Sequence, residues 1–129
     1  MATVNSFEEL EIWKLARQLC NLVFEFTSKE KFSKDFDLKS QIRKSSGSTM
    51  DNIAEGFERG NTKEFIYFIG IAKGSCGETR SQFYRALDYT YITDEEFQDG
   101  YNQCIALCKK NSSFSNYLKS SSIKGTRYK

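Results

Sequence analysis

Apolar residues recur at three- and four-residue steps along most of this chain, and the phase of that recurrence predicts four amphipathic helices. The first is expected over residues 7–28, where Leu10, Trp13, Ala16, Leu19 or Cys20, Val23 and Phe26 share a face behind a capping box from Ser6 to Glu9. The segment from Ser28 to Asp37 reads as a connection whose aromatics, Phe32 and Phe36, tuck against the helices. The second helix, expected over 37–59, carries Leu38, Ile42, Thr49, Ile53 and Phe57 at steps of four and seven. Its middle, Ser45-Ser46-Gly47-Ser48, is a poor helix former, but the apolar phase resumes in register after it, so the helix is expected to be continuous.

Gly60 and Asn61 then mark a turn: Gly60 tolerates the left-handed conformation past a helix end, and Asn61 with Glu64 has the spacing of a second capping box. The third helix, over 62–89, has Phe65, Phe68 or Ile69, Ala72, Cys76, Thr79, Phe83 and Leu87 as its core stripe. Thr93 with Glu96 opens a fourth over 94–110, with Phe97, Tyr101, Cys104 or Ile105 and Cys108 facing inward. Residues 111–129 alternate Ser, Lys and isolated apolar residues and read as a basic tail, with a short helical extension reaching at most Leu118. Short connections make the fold class all-α, an antiparallel up-down-up-down four-helix bundle in residues 1–110 followed by the tail.

Two stretches depart from the pattern by placing small and acidic residues where large apolar ones would stand. On the third helix Gly70, Gly74, Gly77 and Ser81 form a side-chain-poor stripe; on the second, Ser45, Ser48 or Thr49, Asn52 and Gly56 do the same. Interior glycines cost about 1 kcal/mol each relative to alanine. Close approach of the second and third helices would offset that, so the stripes are expected to face each other. Asn52, Glu55 and Arg59 line one polar edge, Ser75, Glu78, Gln82 and Arg85 another, which predicts a polar seam within or between subunits.

Composition adds the absence of proline, which leaves long helices uninterrupted, and 11 Phe with 7 Tyr, which supply large burial per residue. At 129 residues the chain suits one domain. Its longest apolar run, Phe65 to Ala72, falls far short of the ~20 residues of a membrane span, and Met1 to Glu11 has no basic leader; no membrane partner and a cytoplasmic location are expected. Cys20, Cys76, Cys104 and Cys108 are then expected as small buried hydrophobes rather than disulfides. Residues 1–108 hold 13 Lys and Arg against 17 Asp and Glu, a net of −4, whereas residues 109–129 hold 6 basic residues and no acidic one. The positive charge is gathered at the end of the chain.

Candidate chemistry is sparse. Glu55 and Glu78 could serve as acid, base or metal ligand, but carboxylate-bundle metal sites pair Glu with His and the chain has no histidine. Cys104 and Cys108 at i, i+4 lack a second ligand pair, and Gly74 to Glu78 lies mid-helix with no strand before it, unlike a phosphate loop. The expectation is a protein that is not an enzyme, with no catalytic residues, no metal and no cofactor.

The motifs Phe7-x-x-Leu10-x-Ile12-Trp13-x-x-Ala16, Phe36-x-Leu38-x-x-Gln41-Ile42-Arg43-Lys44, Ser48-x-x-x-Asn52-Ile53-Ala54-Glu55-Gly56, Lys63-Glu64-Phe65 and Ile71-Ala72-Lys73-Gly74-Ser75-x-x-Glu78 occur in this order. Together they resemble the four-helix bundle proteins encoded in intervening sequences of bacterial 23S ribosomal RNA genes. The resemblance covers roughly residues 7–105, with Met50 where many members carry proline and Cys76 where leucine is usual. It implies a four-helix protomer that assembles into a homopentamer of poorly established function. It also implies kinship to retroelement accessory variability determinants, which bind nucleic acid and a reverse transcriptase. The family-motif positions carried over are Asn52, Glu55, Gly56, Gly74, Ser75 and Glu78.

The leading functional expectation is an oligomer that contacts RNA or DNA by phosphate neutralisation. Its candidate contacts are Arg43, Lys44, Arg59, Lys63, Lys73, Arg80 and Arg85 on the helices, with Lys109, Lys110, Lys119, Lys124, Arg127 and Lys129 at the end of the chain. The alternative is a scaffold or accessory subunit whose partner is another protein, for which the basic end is only a solvated terminus.

Overall fold

The computed structural model describes residues 4–122. Ser6 opens the first ordered turn: the Glu9 carboxylate accepts from the Ser6 backbone N–H at 3.2 Å and from its hydroxyl at 3.3 Å. A 3-10 turn over Phe7–Glu9 comes next, Leu10 is extended at φ −74° and ψ 129°, and α1 starts afresh over Glu11–Thr27. The single helix expected over 7–28 is therefore split. Residues two apart on a helix point to nearly opposite sides; the extended step at Leu10 lets Leu10 and Ile12 both be buried. The same step sets the Phe7 ring edge-on to Trp13 at 5.2 Å.

The one-turn helix α2, Glu30–Ser33, buries Phe32 fully and stacks it on Tyr91 at 5.1 Å. Phe36, expected to tuck in beside it, is instead 74% exposed beneath the Lys39 ammonium. Asp35 caps α3 (Phe36–Glu58) by accepting from the Leu38 N–H at 3.0 Å, and the helical phase that buries Leu38 and Ile42 turns residue 36 outward. The Tyr91 hydroxyl donates to the other Asp35 oxygen at 2.8 Å. The Leu38 N–H and then Tyr91 hold the Asp35 carboxyl below the usual carboxylate range, while the same bond to Asp35 pushes the Tyr91 phenol up.

Helix α3 is continuous through Ser45-Ser46-Gly47-Ser48, as its apolar phase requires. The Ser46 hydroxyl donates to the Ile42 carbonyl at 2.9 Å and Thr49 to the Ser45 carbonyl at 3.0 Å, so side chains that could compete with the helix give their hydrogens to its own turns. Gly60 has φ 71°, and Asn61 Oδ1 accepts from the Glu64 N–H at 3.0 Å to start α4, Thr62–Asp88. Thr90 sits in the left-handed region at φ 62°, and Thr93 and Glu96 cap each other reciprocally at 2.8 and 3.1 Å.

Helix α5 runs Asp94–Ser122, twelve residues beyond the end expected at residue 110. The apolar phase continues through Leu107, Phe114 and Leu118: Leu118 is fully buried and Phe114 lies edge-on to Phe65 at 5.6 Å. Residues 111–122 thus belong to the bundle rather than to a tail. Lys124, Arg127 and Lys129 lie outside the described residues.

Four long helices close a bundle in the cyclic order α1, α3, α4, α5, with the α3–α4 pair packed most extensively. Contacts such as Ser48 with Ser75, Gly100 with Phe83, and Thr27 with Arg43 run in opposite sequence directions, so each neighbour is antiparallel to the next. Leu19, Leu38, Ile42, Ile53, Phe65, Ile69, Phe83 and Leu107 fill the centre. All four cysteines are free. Cys76 and Cys104 are buried side by side, the Cys76 thiol donating to the Cys104 carbonyl at 3.5 Å, and hydrogen bonding with Cys76 followed by burial pushes the Cys104 thiol up. Among the described residues no helix is long and apolar enough to cross a membrane.

Candidate nucleic-acid interface and the polar seam

The polar seam forms within one protomer. Ser45 donates to Gln82 Oε1 at 2.6 Å and meets the Thr79 hydroxyl at 2.8 Å, while Ser48 meets Ser75 at 3.0 Å and is approached by Asn52 Nδ2 at 2.9 Å. Gln82 Nε2 points at Glu78 from 3.5 Å, and Arg85 donates to Gln41 Oε1 at 3.2 Å to close one end. Ser45 and Thr79 are essentially fully buried and Gln82 nearly so. Each hydroxyl has one hydrogen to give. Ser45 spends its own on Gln82, and the Thr79 hydrogen goes to Ser45 or to the Ser75 carbonyl. This is hydrogen-bonded packing that fixes the α3–α4 register, opening to solvent through a cleft of about 400 Å³ that Lys44 and Glu78 border.

The small residues expected to bring α3 and α4 together divide. At Gly56 an added Cβ would lie 2.7 Å from Phe68 Cβ and 2.9 Å from Phe65 Cδ1, so this glycine does sit at a close helix contact. At Gly70, Gly74 and Gly77 a Cβ would meet nothing within 4 Å, which overturns the expectation of an intramolecular stripe there. The phase that buries Phe65, Ile69, Ala72, Cys76 and Thr79 turns those glycines, with Ser81, away from α3. Gly100, which the sequence did not single out, is the second close approach: a Cβ added there would lie 2.8 Å from the Phe83 ring.

Of the family-motif positions, Asn52, Ser75 and Glu78 meet in the seam, Gly56 packs against Phe65 and Phe68, Gly74 faces solvent, and Glu55 pairs with Arg59 at 3.6 Å on the surface. The basic residues divide as well. Arg43 donates to Thr27 Oγ1 at 2.8 Å with its guanidinium 4.8 Å over Phe24; Arg59 lies 5.1 Å over Phe68; Lys110 pairs with Glu11 at 2.8 Å. With Arg85 on Gln41, these cations join parts of the bundle. Lys44, Lys63 and Lys109 are exposed at separate places, and Arg80 lies near the Cys76 and Cys104 thiols.

Lys73 and Lys119 are brought together. They line one cleft of about 560 Å³ between α4 and α5, with Tyr67, Asn111, Ser115 and Asn116, and none of the described residues lining it carries a carboxylate. Asn111 is the residue that sequence reasoning missed. The signal was there: residues 104, 107, 111 and 118 keep the helical step, and all four are buried. Ending the helix at residue 110 hid it.

A family model described as 23S rRNA-intervening sequence protein matches residues 8–113. No curated protein matches the chain significantly. Among solved structures, the chain is similar to a protein of unknown function from the S23 ribosomal protein family of Bacteroides thetaiotaomicron. That structure is 22% identical with a TM-score of 0.74, and the match covers 81% of this chain and 95% of the other. At that identity the likeness speaks for the fold.

Proposed function

We propose, from the premise that this chain belongs to the 23S rRNA-intervening sequence protein family, that it is a non-enzymatic, cytoplasmic protein whose partner is RNA or DNA. The observation that carries the reading is the shared cleft of Lys73 and Lys119. Because α5 continues to Ser122, Lys119 stands on a packed helix beside a cleft shared with Lys73 of α4. Two ammonium groups bordering one cleft, with no carboxylate among the described residues that line it, suit a phosphate backbone, which gains affinity by releasing counterions. Lys63 and Lys109 extend the set of exposed cations on the same two helices. Fluorescence anisotropy with a structured RNA and a DNA duplex at low salt tests this. Binding that weakens steeply as salt rises is expected; no binding to either at low salt removes the reading.

A second reading, self-association, has its own observation. Gly70, Gly74 and Gly77 lie open on α4 near the exposed Tyr67 and Tyr84, and among the described residues a Cβ added there would meet no atom within 4 Å, so no close contact offsets their conformational cost. Close approach of a second copy would offset it, in keeping with a homo-oligomer, a pentamer by the family resemblance. Gly74→Leu should lower the assembled mass in light scattering while the protomer still folds. A wild-type chain that is monomeric at micromolar concentration contradicts this. A protein partner that is retained through nuclease and high salt would favour the scaffold alternative instead.

A further inference from the structure

We infer that the outer face shared by α1 and α3 is a second contact surface, which holds single-stranded nucleic acid by stacking unpaired bases on Phe24 and Phe36 and by setting Lys39 and Arg43 against the phosphates. The inference rests on the nucleic-acid reading above and goes beyond it, because this surface distinguishes a single strand from a duplex.

Phe24 and Phe36 are 61% and 74% exposed. The other large apolar side chains left in solvent among the described residues are tyrosines, whose hydroxyl gives them a reason to be wet; phenylalanine has none. The two rings belong to one face. The helical step puts Phe36, Lys39 and Arg43 on the same side of α3, and α1 brings Phe24 against Arg43. The Lys39 ammonium lies 5.1 Å over the Phe36 ring and the Arg43 guanidinium 4.8 Å over the Phe24 ring, so each exposed ring stands beside a cation.

Those cations have hydrogen-bonding capacity to spare. Arg43 gives its Nε to Thr27, which holds the guanidinium against the ring and leaves the terminal N–H groups for another acceptor. Neither Lys39 nor Arg43 has an ion pair among the described residues. Glu25 and Asp37 adjoin the rings in sequence, but neighbouring residues project about 100° apart around a helix, and Asp37 accepts from Gln41 at 3.0 Å. Rings and cations together select the partner. An acidic peptide would use the cations and leave the rings wet, whereas a single strand offers both base faces and phosphates, the pairing by which such strands are held without regard to sequence. From Phe36 to Arg43 the face runs about 10 Å, the length of about three stacked nucleotides. A duplex keeps its base faces inside the stack, so the rings can act only on an unpaired strand.

Fluorescence anisotropy on the full chain at low salt tests this with a labelled single-stranded RNA and the same sequence as a duplex. Wild type should bind the single strand roughly tenfold more tightly. Phe24→Ser with Phe36→Ser should lower single-strand affinity roughly tenfold and leave duplex affinity unchanged, while Phe24→Tyr with Phe36→Tyr should retain both. In Phe36→Trp the indole should be quenched by the single strand and not by the duplex, beyond the change that Trp13 shows in wild type. Equal affinity of wild type for strand and duplex, wild-type single-strand affinity in the serine variant, or an unquenched indole overturns the inference. If only Lys73→Glu with Lys119→Glu abolishes binding, the cleft reading stands and this one falls; if only the serine variant loses the strand, this one stands without the cleft. Wild type that binds neither probe removes both. Sedimentation with phosphatidylserine vesicles that the serine variant loses, in a protein that ignores the strand, would give the face to a membrane and overturn the inference.

Discussion

Single residues divide the small positions into two kinds that sequence cannot separate. Gly56 and Gly74 both interrupt helices that are otherwise well patterned, yet one faces Phe65 and Phe68 at contact distance and the other faces open space. Gly56→Ala should therefore destabilise the protomer by about 1–3 kcal/mol through overpacking against a fixed neighbour. Gly74→Ala should raise the stability of the isolated protomer by up to about 1 kcal/mol, since the added methyl costs no contact and the helix gains propensity. Chemical denaturation of the two variants reads both signs; a loss at both positions would put Gly74 in a contact that the protomer does not contain. The expectation that the small-residue stripes of the two helices face each other came from spacing alone, and spacing fixes only which residues share a face. Which neighbour that face meets depends on the phase of the surrounding apolar residues.

At the scale of elements, capping chemistry was the most legible signal. Asn61 with Glu64 and Thr93 with Glu96 stand where α4 and α5 start, and Ser6 with Glu9 at the 3-10 turn before α1, because the side-chain oxygens satisfy backbone N–H groups that a helix start leaves free. Helix ends were less legible. The fourth long helix was expected to stop at residue 110 because Ser and Lys dominate the residues after it, but Phe114 and Leu118 continue its buried face and tertiary packing overrides weak local propensity. Leu118→Ala should cost about 2–5 kcal/mol, as for other buried leucines, and thermal melting reads it; a wild-type melting temperature would return residues 111–122 to the status of a tail.

The Asp35 cap gives a pH prediction at the same scale. Its folded carboxyl titrates below the unfolded value of about 3.9, so it contributes stability above that pH and loses it as pH falls through the lower folded value. Tyr91 titrates above its unfolded value of about 10, so its contribution is complete below that pH and is lost as pH rises through the higher folded value. Asp35→Asn should flatten the acid limb and Tyr91→Phe the alkaline limb of a stability-against-pH curve; unchanged limbs would mean the bond between α3 and the α4–α5 connection is not maintained in solution.

For the whole molecule, the bundle topology was legible from period, turns and the family motifs, and the seam from the polar positions on facing helices. The candidate cleft was not, because it arises where two helices meet rather than along either one. Lys73 and Lys119 are 46 positions apart in sequence and share a cleft only because α5 runs antiparallel to α4 past residue 110. The net negative charge of residues 1–108 also says little about local potential: its cations Arg59, Arg43 and Arg85 are tied to Glu55, Thr27 and Gln41, while the charged groups among the described residues lining the cleft are both cations.

The most direct test of nucleic-acid binding at this cleft is the salt dependence of RNA affinity for wild type and for Lys73→Glu with Lys119→Glu. If both lysines neutralise phosphates, wild type should show a steep linear fall of log affinity with log salt. The double variant should bind more weakly, with its slope reduced by about two. A double variant with wild-type affinity and slope would contradict the account.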